Sequence, residues 1–161
     1  MKLNIHLILP ILMFILSCTK VIDTNISELD KKLTYSVIPF ENYSDTPLAG
    51  YRIASIIEGV LRAKGYRVIN KVWSYKDTDP TKEEIEKIFK KASSQSDRVI
   101  YGTVNEFRYK VGIDNEPVVS ITIYIYDTKK EYVIKSATVS ATGSADESLG
   151  MIAQKLVRNL F

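Results

Sequence analysis

PVVSITIYIYDT (residues 117–128) alternates strictly. Val119, Ile121, Ile123 and Ile125 fall on one side; Ser120, Thr122, Tyr124 and Tyr126 fall on the other. A period of two over that length is a β-strand with one apolar and one amphipathic face. EYVIKSATVSATG (131–143) follows after a turn at 128–130 and predicts the second arm of an antiparallel hairpin. RVIYGTVNEFRYKV (98–111) predicts a long strand before it, with Gly102 marking a bulge or bend. LTYSVIPF (33–40) and YRVI (66–69) are shorter strand candidates, and ENYSDTPLAG (41–50) reads as a loop.

Three amphipathic helices separate or follow these strands. Ile53, Ile56, Ile57, Val60 and Leu61 recur at helical spacing and predict a helix over about 51–64, stopped by Gly65. Thr81 and Glu84 form a capping box for a second helix, whose buried side is Ile85, Ile88, Phe89 and Ala92. Its lysines and glutamates form an ordinary solvated face. Ser144 and Glu147 predict a second capping box before a last helix, with Leu149, Ile152, Ala153, Leu156, Val157 and Leu160 along one stripe. Three such helices cannot bury their faces on each other and also cover the sheet. The expected fold is an α/β sandwich of two or three layers, with a mixed sheet of about five strands and three helices.

The amino terminus has a different character. Lys2 precedes an apolar run from Leu7 to Leu16, and the first acidic residue is Asp23. A spanning helix needs about 20 apolar residues, so this run suits a signal-peptide core. Ile15-Leu16-Ser17-Cys18 resembles a lipobox, although a residue smaller than Leu16 is usual there. The alternative is an ordinary secretory signal that contains a cysteine. A lone thiol in an oxidising compartment lacks a partner, which favours acylation. The expected organisation is a signal peptide over 1–17, a lipidated tether over 18–32 beginning at Cys18, and one domain over 33–161. Thr19, rather than aspartate, follows Cys18, which by the enteric sorting rule indicates the outer membrane.

Composition excludes several chemistries. The only histidine is His6, inside the leader, and Cys18 is the only cysteine. A mature chain without histidine cannot run Ser-His-Asp or Cys-His catalysis, nor hold zinc on Cys and His. No phosphate loop or dinucleotide pattern occurs, and no cofactor is expected. Asp77 and Asp79 are spaced like calcium ligands, but Pro80 and basic neighbours spoil the loop. Loss of Lys2 lowers the formal charge only from +3 to +2, which makes no electrostatic case for nucleic acid.

Two segments stand out. VIPFENYSDTPLAG (37–50) is a strand end running through a polar loop into a helix. YGTVNEFRYKVGIDNEP (101–117) interleaves charges with Phe107 and Tyr109. It reads either as a solvated strand end with compensating charges or as a subunit interface, where charge fixes register and aromatics supply area. The candidate contact residues are Asn42, Glu106, Arg108, Lys110, Asp114 and Glu116. A glycosidase built on Glu106, Asp114 and Glu116 is a third option, but nothing in the sequence fixes their geometry.

The P-F-x-N strand end (39–42), the T-P-x-A-G loop (46–50) and the helix ending in Gly65 resemble a superfamily of envelope lipoproteins. It includes the curli secretion lipoprotein CsgG, the penicillin-binding-protein activator LpoB and the Pel exopolysaccharide lipoprotein PelC. E-F-R-Y-K-V-G (106–112), D-N-E-P (114–117), E-S-L (147–149) and A-Q-K-L-V-R (153–158) are most similar to the PelC branch. The resemblance implies an anticodon-binding-like sandwich and a non-enzymatic role at the inner leaflet of the outer membrane. It also implies a homo-oligomeric ring that funnels exopolysaccharide toward an outer-membrane porin. Lys135 stands about where many relatives carry a tryptophan. The loops are too short to supply the barrel strands of CsgG. The alternative role within the superfamily is LpoB-like regulation of a periplasmic cell-wall synthase. A tether of some 14 residues spans at most about 50 Å, which favours work close to the membrane.

Overall fold

The long hairpin forms as its alternation requires. A computed structural model describes Ile26, residues 29–112 and residues 115–161. The leader, Cys18, most of the tether and Asp114 lie outside the described residues. The chain order is β1 (Thr34–Val37), β2 (Glu41–Asn42), α1 (Ala49–Ala63), β3 (Arg67–Val68), α2 (Lys82–Ser93), β4 (Arg98–Tyr109), β5 (Pro117–Asp127), β6 (Tyr132–Thr142) and α3 (Leu149–Leu160). One mixed sheet runs β3-β1-β4-β5-β6, and β2 also pairs with β4. β1 lies parallel to β3 and β4, whereas β4, β5 and β6 are antiparallel neighbours.

The strand face containing Val119, Ile121, Ile123 and Ile125 packs with Ile53, Ile57, Leu61, Ile152, Leu156 and Val157 in the main core. α1 and α3 therefore cover that face. The opposite face carries a smaller cluster, in which Ile85 and Ala92 of α2 meet Ile38 and Val99, flanked by Phe89, Tyr101 and Tyr126. Helices on both faces make three layers. Among the described residues, no helix is long and apolar enough to cross a membrane.

Gly65 stops α1 as expected. It takes φ +82°, its N–H donates to Arg62 O, and the Tyr66 N–H donates to Leu61 O. That pair of bonds is a Schellman cap, closed by burial of Tyr66 and Leu61 together. Thr81 and Glu84 exchange both bonds of their capping box.

Four details depart from the sequence expectations. The loop at 41–50 contains β2, which pairs Glu41 with Thr103 and Asn42 with Val104 and so continues β1 along β4. The β4 bulge falls at Asn105, between Val104 and Glu106, and not at Gly102. Gly102 instead sits where two neighbours approach closely. A Cβ there would lie 1.9 Å from Thr122 O and 2.8 Å from the Phe40 ring. The last helix begins after Ser148, whose Oγ accepts from the Met151 N–H (3.2 Å); Ser144 and Glu147 close a turn ahead of it.

One ion pair is locked inside the sheet. Arg98 on β4 meets Asp127 on β5 at 3.0 Å, and Asp127 is 1% exposed. Burial pushes the Asp127 carboxyl up. N–H donation from Lys130 and Lys129, with the Arg98 charge, outweighs it, and the net shift is down. Asp97 is also held down, chiefly by the backbone and hydroxyl donors of Thr34 (3.0 and 2.8 Å). A carboxyl lowered in the fold stabilises it above the unfolded value of about 3.9, and that stability is lost as pH falls through the folded value. Thermal stability should therefore decline below about pH 4. Asp127→Asn should cost about 1–3 kcal/mol at neutral pH, because the partly buried Arg98 loses its charged partner and keeps, among the described residues, only its bond to Asp97 O (2.9 Å). It should also flatten the acid limb of a melting-temperature profile measured by circular dichroism.

Candidate assembly interface

The β4–β5 hairpin carries most of the residues that the sequence singled out. Beyond the bulge at Asn105, β4 turns alternate side chains to opposite faces. Phe107 points into the core and is 2% exposed, so it is not available to a partner. Tyr109 is 40% exposed and Val111 is fully exposed. Apolar contact area on this hairpin thus comes from Tyr109 and Val111.

The charges form two local pairs. Arg108 Nη2 meets Glu106 Oε1 at 3.0 Å on the same strand face. Lys110 Nζ meets Glu116 Oε2 at 2.8 Å across the hairpin, while the Lys110 N–H donates to Glu116 O. All four side chains are partly or largely solvated, so each pair is worth at most about 1 kcal/mol. Such weak pairs can be exchanged for contacts with a neighbour at little cost. Among the described residues, Glu106 and Glu116 are each engaged by their own cation.

Asn42 is brought to the same end of the sheet but acts inside its own loop. Its amide donates to Thr46 O (2.8 Å) and Asp79 Oδ2 (3.2 Å). Its Oδ1 accepts from the Ser44 N–H (3.1 Å) and hydroxyl (2.7 Å). Thr46 Oγ1 donates in turn to Phe107 O, which ties this loop to the hairpin. Leu48, the residue before α1, has φ +62°, a conformation that branched side chains avoid. Asp79 holds it there by accepting from the Leu48 N–H with both oxygens (3.1 and 3.2 Å).

Asp79 is thus a helix cap supplied from a distant loop, and no local pattern in the sequence announces that. Asp79→Ala should cost about 1–2 kcal/mol, as for loss of an N-cap. Urea denaturation should show it as a lower midpoint with an unchanged slope. The same loop folds two aromatics, Trp73 and Tyr75, onto Tyr51 of α1. The Trp73 Nε1–H donates to Val37 O (2.9 Å), and the Tyr51, Trp73 and Tyr75 ring centroids lie 5.2–5.4 Å apart. Lys71 Nζ caps the stack, 4.7 Å from the Trp73 ring. The stack fixes the loop that carries Asp79. Among the described residues, no group of three His, Cys, Asp or Glu side chains could hold a metal ion.

No protein-family model and no curated sequence matches the chain. Solved structures do. A PelC dodecamer from Paraburkholderia phytofirmans is 32% identical, with a TM-score of 0.74, over 89% of this chain and 95% of that one. A second crystal form of PelC from that organism is 27% identical with a TM-score of 0.65, over the same shares. Lipoprotein GNA1162 from Neisseria meningitidis shares the fold at 20% identity and a TM-score of 0.52, over 78% of this chain and 96% of that one. The described domain, its hairpin and its α1 entry loop all fall within an α/β sandwich of this kind. By its identity to PelC across nearly the whole of both chains, this protein belongs to the PelC-like lipoprotein family.

Proposed function

We propose that this protein is a non-enzymatic lipoprotein of the outer membrane that assembles as a homo-oligomeric ring and assists export of an exopolysaccharide. The observation that carries this is the 32% identity to a PelC dodecamer over 89% of the chain. Acylation at Cys18 would fasten the ring to the membrane, with the domain facing the periplasm. Subunit contact would run along the β4–β5 hairpin, where Tyr109 and Val111 supply apolar area and Glu106, Arg108, Lys110, Asp114 and Glu116 set register. Asn42 would contribute by shaping the adjoining loop. A porin or the polymer itself would be the outward partner. Deleting the gene tests the role. Exopolysaccharide should fail to reach the medium, and the wild-type gene should restore it. Polymer release unchanged by the deletion would overturn the export role.

A further inference from the structure

The three helices all run toward one end of the sheet. α1 and α2 lead into the starts of β3 and β4, and α3 returns from the end of β6. That end also receives the chain from its amino-terminal segment. Ile26 and Leu29 are buried in the main core, and the Tyr35 hydroxyl donates to Asp30 O. Cys18 lies eight residues before Ile26, at most about 28 Å of extended chain.

A stripe of cations crosses this end. Lys31 Nζ sits 5.4 Å from the centre of the Tyr66 ring, and Lys64 donates to Arg158 O at the end of α3. Arg67 donates to Lys32 O on the first strand edge. Thr34, next along, bonds Asp97, which in turn meets Lys129 of the β5–β6 turn at 3.4 Å, with Lys130 beside it. Lys31, Lys32, Arg67, Lys129 and Lys130 are exposed, and Lys64 is half-buried. Among the described residues, the carboxylates of Asp30, Asp97 and Glu131 stand against these six, while Asp127 is paired with Arg98. Cations at helix C-termini such as Lys64 need no partner, because they complement the helix dipoles. Lys31, Lys32, Arg67, Lys129 and Lys130 lie on strand starts and a turn, where no dipole asks for them. The outer face of α2, by contrast, mixes Lys82, Lys87, Lys90 and Lys91 with Glu83, Glu84 and Glu86.

We propose that this stripe of Lys31, Lys32, Lys64, Arg67, Lys129 and Lys130 is a docking surface for an anionic lipid bilayer. It rests on the proposed function only in placing a membrane within reach of Cys18. Each cation held near an anionic leaflet strengthens binding about fivefold, and the effect decays within a Debye length of about 10 Å. The domain would then sit with its strand starts on the headgroups and the β4–β5 hairpin pointing away.

The test uses the mature chain carrying Cys18→Ser, which bears no acyl group. Its sedimentation is measured with vesicles of phosphatidylglycerol and phosphatidylcholine, and with phosphatidylcholine alone. Binding should require the anionic lipid and fall steeply with salt. Lys31→Glu, Lys32→Glu and Arg67→Glu together should weaken it by about 100-fold or more. Arg52→Glu, Lys82→Glu and Lys87→Glu, an equal charge change elsewhere, should alter it by less than about threefold. Should the first triple variant not fold, Lys31→Ser and Lys32→Ser together give about a 25-fold loss. Equal binding to neutral vesicles, equal weakening by both triple variants, or tighter binding to dextran sulfate than to vesicles would overturn the proposal. The readout involves no acyl group, and a monomer and a ring would both show the dependence on anionic lipid and on the stripe, so the two readings fail separately.

Discussion

Gly102→Ala is expected to lower the melting temperature by roughly 10 °C, corresponding to a loss of about 3 kcal/mol. Overpacking usually costs about 1–3 kcal/mol because neighbours shift. Here neither neighbour can give way. A Cβ at position 102 meets the Thr122 carbonyl of β5, a central strand paired on both sides, at 1.9 Å. It also meets the ring of Phe40, which has no exposed surface. Gly59→Ala is the matched control. Nothing lies within 4 Å of a Cβ at position 59, and it faces solvent inside α1. That variant should gain up to about 1 kcal/mol, the usual preference of a helix for alanine. Thermal denaturation of the two variants checks both signs. Gly102→Ala melting with the wild type would show that the β4–Phe40 contact is not tight.

The two glycines also show what a sequence can and cannot disclose. Gly102 is visible as an odd residue inside a strand, but its cause lies in Phe40 and Thr122, which are distant in sequence. The bulge that a glycine often marks falls three residues on, at Asn105, where the buried series Ile100, Gly102, Val104 resumes out of phase at Phe107. The β5–β6 hairpin was legible because burial on one face repeats every second residue. α1 was legible because its apolar stripe and Gly65 agree. β2 was not, since two residues carry no period and exist as a strand only through Thr103 and Val104. Ser144 and Glu147 have the spacing of a capping box, yet they close a turn, and Ser148 takes the cap. At the candidate interface the charges of the hairpin were legible, whereas the burial of Phe107 and the internal role of Asn42 were not. Asp79 looked like half of a poor calcium loop and proves to be the cap of α1.

Cys18→Ser should have the largest effect on where the protein resides. Each buried methylene contributes about 0.8 kcal/mol, and one acyl chain alone anchors only marginally. Two or three chains on one cysteine make attachment effectively permanent, so the wild type should stay with membranes through high salt and alkaline carbonate. The serine variant should lose that resistance altogether. What membrane association remains should be the salt-sensitive kind expected of the cationic stripe beside the tether. Fractionation with quantitative immunoblotting reads both components. A serine variant that still resists carbonate would remove the thioether lipid from the account. Mass spectrometry of the wild-type amino terminus gives the chemical counterpart, a diacylglyceryl cysteine at position 18.

The assembly state decides most. Analytical ultracentrifugation of the acylated protein in detergent, alongside the unacylated domain at high concentration, should show one discrete multi-subunit species, as in the P. phytofirmans dodecamer. A strict monomer in both preparations would contradict the ring on which the export role depends.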